Sequence, residues 1–175
     1  MAVLGSVLKN LFGKRYTISE LMTIDEGRQN RANNCSVSLT NIFYSVKQES
    51  VIGKFKSLFA TNNIKVFYIT LKLKVKSDTG NSHNVFIQLE PDFTMHDWKN
   101  NRVRIYCDCA DFKYRSAYIL DKRDSLFAND WIKMALGQAT TDIPTGKKGV
   151  TTLCKHAYAA VTWLSTNYEK IMMEL

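Results

Sequence analysis

Apolar and polar residues alternate most clearly between Lys65 and Leu89. Val66 and Tyr68, then Leu71, Leu73 and Val75, alternate with Lys72, Lys74 and Lys76, and a period of two puts the two sets on opposite faces of a strand. The turn formers Ser77 to Asn81 follow, after which Val85, Ile87 and Leu89 resume the pattern. An antiparallel hairpin is expected, with one buried face and a lysine stripe on the other. Val103, Ile105 and Cys107 predict a third strand.

Helical spacing frames this hairpin. Val3, Leu4, Val7, Leu8, Leu11 and Phe12 form a short apolar stripe ended by Gly13, a helix that needs an apolar surface on its own domain or on another subunit. Thr17-Ile18-Ser19-Glu20 has capping-box spacing and is expected to open a second helix reaching about Gly27, with an exposed loop over 28–34. Phe112, Ala117, Tyr118 and Leu120 suit a helix over 111–120, and 130–136 a shorter one. At the C-terminal end Ala157, Ala160, Val161, Leu164, Tyr168, Ile171, Met172 and Leu175 mark a continuous amphipathic helix. The expected class is α+β, a small antiparallel sheet with flanking helices. A helical or mixed region over 1–64 and a hairpin with its C-terminal module over 65–175 together form one compact domain.

Composition narrows the class further. An apolar fraction of 45% excludes a disordered chain, and no apolar run is long enough to span a bilayer. Lys9 interrupts the N-terminal apolar stretch and no cleavage site follows it, so that stretch reads as mature protein and not as a secretion signal. The formal charge of +8 is uneven: 15 basic and 8 acidic residues precede Cys107, against 9 and 8 from Cys107 onward. The lysine stripe of Lys72, Lys74 and Lys76 is the candidate nucleic-acid surface, although alternating lysines also serve solubility, and interleaved exposed aromatics are not evident beside them in the sequence.

Four residues carry the strongest chemical signal. Cys107 and Cys109 form a C-x-C pair at the end of a strand, and, after 44 intervening residues, Cys154 and His156 form a C-x-H pair at the start of a helix. Three thiolates and an imidazole make a complete tetrahedral shell for one structural zinc ion, with bonds of about 2.3 Å to sulfur and about 2.0–2.1 Å to nitrogen. Cys35 is then left without a partner, which favours synthesis in a reducing cytoplasm. Zinc with three thiolates adds about −1 to its surroundings, so a cationic surface is expected outside this module.

C-x-C after strands, a variable gap, then C-x-H opening a helix resembles the SWIM-type zinc finger. In fuller form, CDCADFKYRSAYIL followed by GVTTLCKHAYAAV resembles a SWIM-like variant of tailed-bacteriophage proteins, with Ala110 where proline is common, then Asp111 and Phe112, Tyr114 and Tyr118, and Cys154-Lys155-His156 before an alanine-rich helix. The resemblance implies binding or structure rather than catalysis: a virion protein, made in the host cytoplasm, working by contacts with other virion proteins in an oligomeric assembly. The alternative is a cytoplasmic nucleic-acid-binding module using the basic hairpin.

An enzyme is the weaker reading. Cys154 and His156, two residues apart, seldom reach thiol-and-base geometry. His83 and His96 read as surface histidines. Asp108 and Asp111 flank the metal pair, but a closed shell holds no activated water for them to serve. The loop over 145–149 lacks the glycine spacing and terminal Ser or Thr of a phosphate-binding loop.

Overall fold

A computed structural model of the chain describes residues 15–22, 26–50, 63–90, 98–128 and 153–173. In chain order the elements are α1 (Ile18–Leu21), α2 (Glu26–Asn33), β1 (Ser36–Ser50), β2 (Asn63–Lys76), β3 (Ser82–Glu90), a 3-10 turn (Trp98–Asn100), β4 (Arg102–Cys107), a π-helical turn (Phe112–Ser116) running into α3 (Ala117–Lys122), and α4 (Lys155–Met173). The expected α+β class is the one observed, with the strands in the order β1-β2-β3-β4 and every neighbouring pair antiparallel. The N-terminal apolar stripe and the segments 130–136 and 145–149 lie outside the described residues.

Register follows the apolar pattern. Leu71 pairs with Ile87 and Ile87 with Ile105, while Leu73 pairs with Val85 and Val85 with Cys107. All six side chains lie on one face and are essentially buried. Helix α4 lies across this face and contacts all four strands. Its Ala157, Ala160, Val161 and Leu164 are buried, and the two alanines let the helix approach the sheet closely. Lys72, Lys74 and Lys76 project from the opposite face, as the alternation requires.

β1 is a finding that the sequence pattern did not announce. Its inward residues change parity, from Val37 and Leu39 to Ile42, because the register shifts between Leu39 and Asn41. This bulge at Thr40, whose hydroxyl donates to the Lys72 carbonyl at 2.7 Å, breaks any period-two reading of the strand. Beyond the end of β3, β1 and β2 continue as a two-stranded ribbon with Val46 and Phe67 exposed, and Tyr44, opposite Ile69 where β3 still pairs, is exposed just before it. Backbone hydrogen bonds from Val103 to Tyr16 and from Ile105 to Ser125 close the outer edge of β4. No described residue pairs with the outer edge of β1.

Two helical expectations are corrected. The capping box exists: Glu20 N–H donates to Thr17 Oγ1 at 3.2 Å and Thr17 N–H to Glu20 Oε2 at 2.8 Å. However, α1 ends at Leu21 with Met22 as its cap, and a separate helix starts at Glu26, where one helix to Gly27 was expected. The β-branched pair Thr23-Ile24 and Asp25, poor helix formers, separates the two in sequence. Residues 28–33, expected as loop, belong to α2. That helix packs against α4, and its one apolar side chain, Ala32, is buried, so it carries no apolar stripe to betray it.

Candidate metal centre

The ligand atoms of Cys107, Cys109, Cys154 and His156 all lie within 4.8 Å of one another, and all four residues are buried. Each half of the site is positioned by its element. Cys107 ends β4, on the face that α4 covers. Cys109 does not continue the strand, as strand geometry for the C-x-C pair would require. It precedes a helical turn instead, and its Sγ accepts a hydrogen bond from Phe112 N–H at 3.3 Å. Cys154 stands just before α4, and its Sγ accepts from Ala157 N–H, also at 3.3 Å. Both sulfurs therefore occupy the capping position of a helical segment, where free N–H groups and the helix dipole favour a thiolate. His156 lies in the first turn of α4, so its ring reaches back to the same point.

The electrostatics ask for a cation. Hydrogen bonds from the Cys107 and Cys154 thiols hold Cys109 far below the ordinary thiol range. Cys107, engaged with Cys109 and Cys154, is pushed far above that range, and burial pushes Cys154 up as well. A bare cluster thus stabilises one shared thiolate, whereas a divalent ion would allow all three. The histidine gives an independent indication. Both His156 ring nitrogens are buried without a hydrogen-bond partner, a costly arrangement that ligation of one nitrogen relieves. Thiolate and imidazole in this number fit a metal ion.

Two residues read from sequence as bystanders support the centre. His83, expected as a surface-turn histidine, lies in β3 with its ring 4.2 Å from the His156 ring, centroid to centroid. Its Nδ1 is 2.9 Å from Asp108 Oδ1, and the other Asp108 oxygen accepts from Asn84 N–H at 3.1 Å and Asn84 Nδ2 at 2.9 Å. Asp108, read as an acid beside the metal, is instead a brace between the C-x-C turn and β3. Nothing in the local sequence connects residues 83, 108 and 156; only the register that sets Val85 opposite Cys107 does so. Asp111, in the helical turn after Cys109, is not a member of the cluster, and His96 lies outside the described residues.

Cys35 stands apart from the cluster. It lines a cleft of about 230 Å³ with Val37, Ala159 and Trp163, and burial raises its thiol. Lys72, Lys74 and Lys76 also stand apart, on the face of the sheet opposite Cys107. Among the described residues, no helix is long and apolar enough to cross a membrane. Comparison of the chain with protein-family models, with curated proteins and with solved structures finds no match.

Proposed function

We propose that the chain is a non-enzymatic, zinc-stapled structural protein, an accessory component of a tailed-phage particle that acts through protein-protein contacts. The observation that carries the zinc reading is the convergence of three buried cysteine sulfurs and a partnerless buried histidine on one point. Zinc accepts this donor set tetrahedrally, and four protein ligands leave no position for water or substrate. The ion would fasten β4, the turn that follows it and the start of α4 to one another, holding across the 44 residues that separate the two ligand pairs in sequence. Its role is mechanical.

The particle assignment rests on the resemblance of the CDCADFKYRSAYIL and CKHAYAAV segments to tailed-phage SWIM-like proteins. Phe43, Tyr44, Val46 and Phe67, all between 45% and 63% exposed on β1 and β2 at and beyond the end of β3, are compatible with a protein contact. Mass spectrometry of gradient-purified particles tests the assignment: the chain should co-sediment with the particles at a fixed copy number, and its confinement to the soluble lysate would overturn the virion reading while leaving the zinc reading intact.

The brace gives a second test, of the zinc centre itself. Outer partners of metal ligands typically contribute about 10–100-fold to metal affinity. His83→Ala and Asp108→Asn are therefore expected to speed metal transfer to a chromogenic chelator by about tenfold, with helix content preserved. Transfer rates equal to wild type would show that His83 and Asp108 merely neighbour the site.

A further inference from the structure

The sheet face turned away from α4 gathers features that the linear sequence scatters. Lys72, Lys74 and Lys76 stand in one row on β2, at steps of about 6.6 Å set by the two-residue rise of a strand. Register surrounds them with short neutral side chains: Ser36, Ser38 and Asn41 on β1, and Ser82 and Asn84 on β3. Lys74 and Lys76 are exposed, and none of the three lysines is ion-paired with a described residue. The acid of the adjoining turn, Asp78, is engaged by Lys155 at 3.1 Å. The row is thus an uncompensated cationic stripe bordered by hydrogen-bonding groups.

Aromatic rings complete the surface, where the sequence pattern alone suggested none. Lys72 pairs across the sheet with Phe86, and Phe86 with Tyr106. Lys72 Nζ lies 5.8 Å from the Phe86 ring centre, and Phe86 lies 6.3 Å from Tyr106 and stacks on Phe127 at 5.6 Å. Phe86, Tyr106 and Phe127 are all half-buried, and Tyr106 also meets buried Phe112 edge-on at 5.7 Å. A polar network of buried Thr70 and Gln88 with half-buried Arg104 bounds the patch on the other side of Phe86 and Tyr106.

We propose that this face binds single-stranded nucleic acid, with Lys72, Lys74 and Lys76 on successive phosphates and Phe86 and Tyr106 stacking against bases. The arrangement combines the two elements of sequence-tolerant single-strand recognition, a cationic track and adjacent π surfaces. A carboxylate-bearing protein would use the lysines and leave the aromatic row idle. The surface lies on the opposite face from Cys107 and meets the metal centre's surroundings only through Asn84, whose amide donates to Asp108, so it can be tested separately from the zinc reading.

Fluorescence anisotropy with a labelled 20-nucleotide oligothymidylate tests the proposal on the metal-loaded full chain. Three phosphate contacts at about 0.7 ions each predict that log K falls with log salt at a slope of about −2 or steeper. The Lys72→Ala/Lys74→Ala/Lys76→Ala variant should bind at least tenfold more weakly at 100 mM salt, with the slope shallower by about 2. Phe86→Leu, which keeps bulk and removes the ring, should weaken binding about fivefold or more, whereas Lys65→Ala/Lys170→Ala, on exposed lysines elsewhere, should not. Circular dichroism shows whether each variant is folded. Absence of binding at 50 mM salt, equal binding by the triple-lysine variant, equal affinity for a duplex, or equally effective competition by polyglutamate would each overturn the proposal, the last in favour of an acidic protein partner.

Discussion

Cys154→Ser is expected to abolish metal binding and to release α4 from the sheet. The substitution isolates ligation from its local surroundings. Serine is among the best helix-capping residues, so its oxygen can take over the hydrogen bond that Cys154 Sγ accepts from Ala157 N–H. What serine cannot supply is a soft anionic ligand in a fully buried position. Apparent zinc-binding free energies in small finger modules are about 10–16 kcal/mol, comparable to the whole stability of an ordinary domain, about 5–15 kcal/mol. Loss of the ion therefore removes more than the remaining packing of α4 can offset. Elemental analysis should find one zinc per wild-type chain and none in the variant. Hydrogen exchange should show α4 unprotected, and excess chelator should reproduce both effects in wild-type protein. Cys35→Ser, outside the cluster, should leave metal content unchanged. Metal-free protein that keeps α4 protected would refute the staple and return Cys154 and His156 to consideration as reactive groups.

The four residues of the cluster were legible because their spacing is local: C-x-C and C-x-H each carry their meaning within three residues. The same holds for the β2–β3 hairpin, β4 and α4, whose periodicities are unbroken over their lengths. β1 was hidden because the Thr40 bulge shifts its inward residues from odd to even positions and because its far half, where Tyr44 and Val46 are exposed, faces no described helix. α2 was hidden because its sequence from Glu26 to Asn33 carries a single apolar side chain, Ala32, and so has no stripe to detect. Everything that depends on contacts between distant segments was beyond sequence reasoning: the His83–Asp108 brace, the Lys72–Phe86–Tyr106 row, and the ion cluster that Arg15 forms with Glu90 and Asp124. In each, the residue types are unremarkable and only the tertiary contact of distant segments gives them a role.

The Arg15 cluster should show the second large effect. Arg15 is 7% exposed, an uncommon position for a charge, and is held by two acids from distant parts of the chain. Its Nη1 donates to Glu90 Oε2 at 2.7 Å and its Nε to Asp124 Oδ2 at 2.6 Å. Arg104 shares the Asp124 carboxylate at 3.1 Å and continues to Gln88 Oε1 at 3.2 Å. This network ties the segment before α1 and the residues after α3 to the sheet. Arg15→Met keeps much of the packed volume but leaves both acids without this partner, and breaking one side of a buried pair costs about 3–5 kcal/mol. The lower end is expected, because Asp124 is more than half exposed and retains Arg104. Asp124→Asn should cost less: asparagine tolerates the left-handed backbone at this position, where φ is 52°, and removes the acid instead of stranding it. In the double variant the two costs should add to less than their sum, because Arg15 then loses nothing further at Asp124. Urea unfolding of the four proteins at neutral pH measures the coupling, and strict additivity would dismiss it. The pH sign is fixed by Asp124. Burial alone would raise its carboxyl, but Arg104 and Arg15 outweigh burial and hold it below the ordinary aspartate range. The contribution is accordingly complete above the ordinary aspartate pKa and is lost only as the pH falls through the lowered one.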